Sequence, residues 1–384
     1  MSWFKDFRKQ VRSRKNLARL EDELGRYRSE FTCRGLSLPG ESDIRRRFRD
    51  KYPGLAPKSR GELNVLAIYH SYNWEEEALK PSLEKFGTVR HYDWVGKFNH
   101  RSAGWSKSLK DEMNDDLVRS AVMWHGERPF DAIFCYLSGE LANADMLAKL
   151  GVLRLPIVNL SLNDKECFVG KRKFGQVIGM RDICRHFDLC WTSTRDALEK
   201  YCVEGALPVY LPEGANPEVH RPYDVERTFD VTFVGQRYGN RPPVIEALTS
   251  AGIRVEAFGP GWPNGPLSTG EMVKMYSRSR ISLGFGGVVG HKDTYHLKGR
   301  DFEVPMSGGL YLTEHHEELE RVYEVGKEIV TYAGQDDLVS KIRWLLSHPE
   351  EAERIRLAGR ERALREHTWE MRFEKIFGFM GLVE

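Results

Sequence analysis

From residue 62 onward, short apolar runs alternate with helix-patterned stretches, and the series runs to a close and then starts again. This alternation constrains the fold more than any other feature. Two parallel strands cannot be joined by a tight turn; they need a crossover of about a dozen residues or more, usually a helix. The first series places strands at 62–70, 88–94, 131–137, 155–162 and 188–194. The second places them at 229–235, 253–259, 280–286, 310–314 and 329–333. Between them, PEGANPEVHRPYD (212–224) is rich in Pro, Gly and Asn and reads as a linker. The pattern predicts an α/β chain of two Rossmann-like, doubly wound domains facing a cleft, and ligands of such sheets bind beyond the carboxyl ends of the strands.

A chain of 384 residues fits this division, at roughly 100–200 residues per domain. The expected parts are a basic helical extension (1–61), an N-terminal domain (62–212), a C-terminal domain (213–366) and a terminal helix (367–384) that crosses back to the N-terminal domain. Residues 1–60 hold 17 Lys and Arg against 8 Asp and Glu, which sets them apart from the rest. Within them Leu17, Leu20, Leu24, Tyr27 and Phe31 recur at helical spacing, and Trp3, Phe4, Phe7 and Val11 extend the stripe. Such a helix packs on its own protein or on a second copy, as a homo-oligomer contact. Its basic face also suits an anionic membrane surface or an acidic partner, so residues 1–35 are the candidate contact region. No nucleic-acid-reading module accompanies the charge, and nucleic acid is not an expected partner. No apolar run approaches the roughly 20 residues of a spanning helix, and the start lacks the apolar core of a secretory signal. With six scattered cysteines and no Cys-x-x-Cys pair, the expectation is a cytoplasmic protein with reduced thiols, either free or peripheral at the inner membrane face.

The stretch that begins LKGRDFEVPMSGGLYLTE, with its R-x-F-E-x-x-x-x-G-G element, apolar LYLT strand and a G-R…H-T-W ending, carries a family resemblance over roughly 229–377. It is similar to the end of a GT-B-fold glycosyltransferase, and within the group-one enzymes it most resembles the spore-maturation CgeB-like branch. The resemblance implies a hexosyltransferase-type enzyme in glycan biosynthesis, moving a sugar from a nucleotide-diphosphate-sugar to a hydroxyl acceptor on a glycan, protein or small molecule. It further implies retention of anomeric configuration and no metal. The donor is then a co-substrate and no cofactor is expected, with UDP-sugars favoured over GDP- or dTDP-sugars. Two alternatives stay open: a non-catalytic nucleotide-sugar-binding or scaffolding protein, and a sugar-nucleotide epimerase of the same fold.

The residues themselves point to a diphosphate site. A strand runs into the loop GVVGHKDTYHLKGR, and a helix is expected to begin at about Arg300 or Asp301. Free N–H groups at that helix start, with Lys298 and Arg300 beside them, suit an anion. Glu303 lies in the first turn; by resemblance it matches the second glutamate of an E-x7-E pattern and takes the ribose diol, whereas the first glutamate's place is held by Tyr295. A second phosphate-gripping turn follows FVG, where Gly235 permits close backbone approach and Arg237 and Arg241 offer planar forks. Gly259 and Trp262 in AFGPGW are loop candidates for the base. On the acceptor side, related retaining enzymes carry a histidine after the fourth strand; here Leu162 and Asn163 stand there, followed by Asp164. Asp164 is a candidate base or orienting group, with capping of the next turn as the bland alternative. His70 is the other catalytic candidate, with Tyr72 and Asp93 near it at strand ends. His125 reads as a helix-end residue, and His315 and His316 are not spaced as metal ligands, so no metal site is assigned.

Overall fold

The computed structural model describes all residues except Met1, Asn73, Phe174, Gly175, Val289 and Lys292, and at 2–10, 171–173 and 176–177 it describes the backbone alone. The side chains of Trp3, Phe4 and Phe7 therefore lie outside the described residues, as do Val289 and Lys292 of the glycine-containing loop. The chain divides into two compact units: an N-terminal unit of Leu20–Pro212 with Arg372–Glu384, and a C-terminal unit of Met1–Arg19 with Glu213–Met371.

The first helix, α1 (Ser2–Cys33), is continuous, and α2 (Glu41–Lys51) follows. Residues 1–61 thus form no separate body, since those before Leu20 group with the C-terminal unit and the others with the N-terminal one. Of the stripe read from the sequence, Leu20 and Tyr27 are buried (both 8% exposed) and Leu17, Leu24 and Phe31 are half-buried, whereas Val11 is exposed. Two polar contacts add register. The Tyr27 hydroxyl donates to Glu204 (2.5 Å), and Lys200 Nζ meets Glu23 Oε1 at 2.7 Å with both side chains buried.

The N-terminal sheet is built from β1 (Leu63–Ile68), β2 (Gly87–Tyr92), β3 (Ala132–Cys135) and β4 (Ile157–Ser161). A short hairpin, β5 (Lys171–Lys173) and β6 (Gln176–Ile178), precedes β7 (Leu189–Thr192) and β8 (Pro208–Tyr210). The six sheet strands run in the order β2-β1-β3-β4-β7-β8, and every pair is parallel. All six residues of β1 are buried, as a strand covered on both faces requires. The crossovers are α3 (Lys80–Glu84), α4 (Lys110–Glu127), α5 (Ala144–Leu150), α6 (Asp164–Cys167) and α7 (Leu198–Val203). The stretch EEEALKPSLEKFG forms a π-turn (Glu75–Leu79) continued by α3, and Pro81, which has no N–H to donate, lies in the first turn of α3. Strand β8 and the hairpin have no counterpart among the strands read from the sequence.

The C-terminal sheet consists of β9 (Phe229–Val234), β10 (Val255–Phe258), β11 (Ser279–Leu283), β12 (Tyr311–Glu314) and β13 (Val330–Tyr332). It is also wholly parallel, in the order β10-β9-β11-β12-β13. Its helices are α8 (Arg241–Ser250), α9 (Thr269–Arg278), α10 (Gly299–Met306), α11 (Gln335–Ser347) and α12 (Pro349–Glu366). The last helix, α13 (Trp369–Met380), sends Phe373 into the N-terminal unit's core, with ring centroids 5.3 Å from Phe134 and 5.7 Å from Trp191. Lys58 N donating to Leu382 O (2.9 Å) ties the chain end to the same unit. Of the six free thiols, Cys135, Cys184 and Cys190 are buried, whereas Cys33 and Cys167 are exposed. Among the described residues, no helix is long and apolar enough to cross a membrane.

Candidate active site

At the carboxyl ends of β9, β11 and β12, the C-terminal unit gathers three cations. Arg241 opens α8 and is only 4% exposed. Its guanidinium lies over the rings of Tyr238 (4.1 Å) and Phe233 (5.2 Å), and Nη1 donates to Gln236 O at 2.9 Å. Arg300, in the first turn of α10, lies 5.9 Å from the Phe233 ring. Its Nε is buried and has no hydrogen-bond partner among the described residues. Lys298 reaches the loop after β11, where Nζ donates to Gly287 O (2.8 Å) and Phe285 O (3.2 Å).

These charges strain one another electrostatically. Burial, with Arg241 and Arg300 adding repulsion, pushes the Lys298 ammonium down to about 8, against the pull of Asp301. Burial and then Arg300 lower the Arg241 pKa as well. Burial also works against the Arg300 charge, but Tyr276, Glu303 and Tyr311 overcome it and the pKa is raised. Asp301 is the buried counter-charge: it accepts from Lys298 N (2.7 Å) and from the Tyr311 hydroxyl (2.7 Å), and burial lifts its carboxyl to about 6. A helix start with half-buried Lys298 and Arg300, the buried Arg241 nearby and an unmatched guanidinium donor is chemically an anion site.

Of the sequence candidates, Lys298, Arg300, Arg241 and Gly235 come together. A Cβ on Gly235 would lie 2.9 Å from Arg300 Nη2, so glycine is what admits the guanidinium. Arg237 does not join them: it is exposed, lies over Trp262 at 5.5 Å and reaches towards Glu246 (3.9 Å). Gly259 and Trp262 build the loop. Gly259 has φ +124°, and a Cβ there would lie 2.4 Å from Gly235 O. Trp262 Nε1 donates to that same carbonyl at 2.8 Å, an anchoring role.

Glu303 is half-buried beside Gly299, where an added Cβ would meet Glu303 Oε1 at 3.1 Å and Glu213 Oε2 at 3.4 Å. Two carboxylates therefore flank the start of α10, and Glu213 was read only as linker. Tyr295, in place of a glutamate, stacks on His316 (5.9 Å, 12° between planes). His315 is turned to Thr331 Oγ1 (3.2 Å). Glu314 ends β12 and accepts from Gly287 N and Asn240 Nδ2, both at 2.8 Å, bracing the loops around the cations. Its place at a strand's carboxyl end was a readable signal; Glu213 had none.

In the N-terminal unit, His70 follows β1 and Asp93 follows β2, and adjacent parallel strands bring them together. His70 Nδ1 lies 3.1 Å from both Asp93 oxygens. The Tyr72 ring meets His70 edge-on at 4.2 Å. A cavity of about 450 Å³ is lined by His70, Val95, Phe98, Asn99, His100 and Arg101, with other residues of that loop. Asp164 stands elsewhere. It is 1% exposed, and its oxygens accept from Ser161 Oγ (2.6 Å), Thr192 Oγ1 (2.6 Å) and Tyr201 Oη (2.8 Å). Burial raises its pKa despite those donors. The expectation of a base at Asp164 is corrected: its carboxylate ties β4, β7 and α7 together inside the core, beyond reach of a substrate. His125 does close its helix end, accepting from Phe130 N at 3.0 Å. Among the described residues, no group of three or more His, Cys, Asp or Glu could hold a metal ion.

Two parallel-sheet Rossmann-like units with these strand orders, the second bearing an anion site at its strand ends, are the architecture of GT-B glycosyltransferases. Residues 241–378 match the model of a family described as glycosyl transferase-like. Among solved structures, sucrose-phosphate synthase from Thermosynechococcus elongatus is similar at TM-score 0.57 and 12% identity, covering 83% of this chain and 98% of that one. HepE from Anabaena, solved in complex with UDP-glucose, is similar at TM-score 0.56 and 12% identity, over 83% of this chain and 100% of that one. AviGT4, a glycosyltransferase involved in avilamycin A biosynthesis, gives TM-score 0.53 and 16% identity, over 83% of this chain and 97% of that one. No curated protein sequence matches the chain.

Proposed function

We propose that this protein is a metal-independent, hexosyltransferase-type glycosyltransferase of the CgeB-like branch, moving a sugar from a nucleotide-diphosphate-sugar to a hydroxyl acceptor. The observation that carries the reading is the cluster of Lys298, Arg300 and Arg241, whose mutual repulsion a diphosphate would relieve. Those cations stabilise the departing diphosphate without a metal, and Glu303 with Glu213 takes the ribose diol. The donor domain then spans 213–366, the acceptor domain 62–212, and the helix from 367 returns to the acceptor domain. A UDP-sugar is the favoured donor, because HepE is solved with UDP-glucose. The resemblance to retaining group-one enzymes supports retention of anomeric configuration. Residues 1–35 remain the candidate contact for a membrane surface or a second copy, in the cytoplasm. Tyr295, standing where a donor-contacting glutamate is expected, favours one second reading: nucleotide-sugar binding without transfer.

Calorimetry with UDP, GDP, dTDP, CDP and ADP, followed by hydrolysis assays on the matching sugar nucleotides, tests the proposal. Selective binding of one nucleotide with turnover of its sugar is expected. Binding without turnover supports the second reading, and no binding refutes both.

A further inference from the structure

We propose that the first half of α1 docks the protein on an anionic membrane surface, through a second apolar face distinct from the one that packs on the body. An α-helix turns by about 100° per residue. On that register Leu17, Leu20, Leu24, Tyr27 and Phe31 share one face, and all five are buried or half-buried. Trp3, Phe4, Phe7, Val11 and Ala18 share another, about 140° around the helix from the first. The upstream apolar residues therefore do not extend the packed stripe; they form a separate one on the same continuous helix. Where side chains are described, the two faces behave differently. Val11 is 37% exposed and Ala18 is exposed. Asn16 and Leu17, turned away from that face, are half-buried, and Asn16 Nδ2 donates to Gly290 O at 2.7 Å within the C-terminal unit.

Charge follows the same division. Residues 2–19 hold seven Lys and Arg against one acid, Asp6, whereas residues 20–33 hold two Arg against four acids. Arg12, Arg14, Lys15 and Arg19 are all exposed. By register Arg8 and Lys15 run along one border of the second face and Arg14 lies near the other. An aromatic stripe bordered by cations fits a helix lying in the plane of the headgroups, where acyl chains take the rings and lipid phosphates take the charges. A second copy of this face would set cations against cations across a two-fold contact. Duplex nucleic acid would neutralise the cations but leave the aromatic stripe in water. The inference does not depend on the donor reading, because membrane binding needs no nucleotide.

The test sediments the full chain with vesicles of phosphatidylcholine, alone or with about a third phosphatidylglycerol, at low and at roughly fivefold higher salt. Binding to the anionic vesicles is expected, weakened roughly tenfold or more by the added salt or by omitting phosphatidylglycerol. Arg12→Glu with Lys15→Glu should lower partitioning by roughly a hundredfold or more. Phe7→Ser with Val11→Ser should lower it by roughly tenfold or more at unchanged charge. Both double variants should melt at the wild-type temperature. If either does not, the single changes Arg12→Gln and Val11→Ser, at exposed positions, decide by the same direction of effect. Equal binding to neutral and anionic vesicles, binding to neither, or wild-type binding by the variants overturns the proposal. A lipid-free dimer that Phe7→Ser with Val11→Ser converts to a monomer in the ultracentrifuge gives the face to a second copy and overturns it. Tighter binding to a DNA duplex than to the anionic vesicles at the same salt overturns it in favour of nucleic acid.

Discussion

Lys298 makes the donor site sensitive to alkali, and the size of the effect follows from its surroundings. Its pKa lies near 8 rather than the ordinary 10.5, because burial and two neighbouring guanidinium groups disfavour the charge. In the free protein it is about nine-tenths protonated at pH 7 and about one-tenth at pH 9, given a midpoint of 8. A diphosphate favours the ammonium, so binding above pH 8 must take up a proton. If only the charged form binds well, affinity falls about tenfold from pH 7 to pH 9, or about 1.4 kcal/mol. Calorimetry of UDP in buffers of different ionisation enthalpy reads both the affinity and the proton uptake, which should reach roughly three-quarters of a proton at pH 8.5. Lys298→Met should bind more weakly at pH 7 and show neither dependence. The linkage runs oppositely for the unliganded fold. A lysine with a depressed folded pKa makes the fold more stable as pH rises through the window from about 8 to 10.5, because the unfolded chain holds the extra proton there. Affinity that stays flat between pH 7 and 9, or a Lys298→Met variant with the wild-type pH profile, would refute the reasoning.

Arg241→Ala should weaken nucleotide binding by roughly 10–100-fold, the range of one to two charge-assisted hydrogen bonds, while Arg237→Ala changes it by less than about threefold. Titration calorimetry separates the two, and equal effects would contradict the placement of Arg237 over Trp262. Gly259→Ala combines a left-handed φ with a clash on a backbone carbonyl, and thermal unfolding should show a loss of about 2 kcal/mol or more. Asp164→Ala strands three buried hydroxyls and should cost about 3 kcal/mol by denaturant titration, with transfer by the folded protein intact; a stable but inactive variant would return Asp164 to the site. Glu23→Gln removes one partner of the buried pair with Lys200 and should cost about 3–5 kcal/mol, measured the same way.

The two parallel sheets, the stripe of α1 and the helix start beside Lys298 were legible in the sequence, because periodicity and glycine-bounded strands are local properties of a chain. Leu20 and Tyr27 had to face something apolar, and ten alternating runs could only stack as parallel strands. The same local signals could not separate Arg241 from Arg237, which lie four residues apart in one loop and differ only in which of them the folded β9 end buries. Nor could they tell Asp164 from His70, both polar residues following a parallel strand. The difference arises from strand neighbours. Pairing β1 with β2 sets Asp93 beside His70 at the edge of a cavity, whereas pairing β4 with β7 closes Ser161, Thr192 and, with α7, Tyr201 around Asp164. Charge and burial belong to the space between elements distant along the chain, so the tertiary structure alone decided which of the candidate residues are exposed to a ligand.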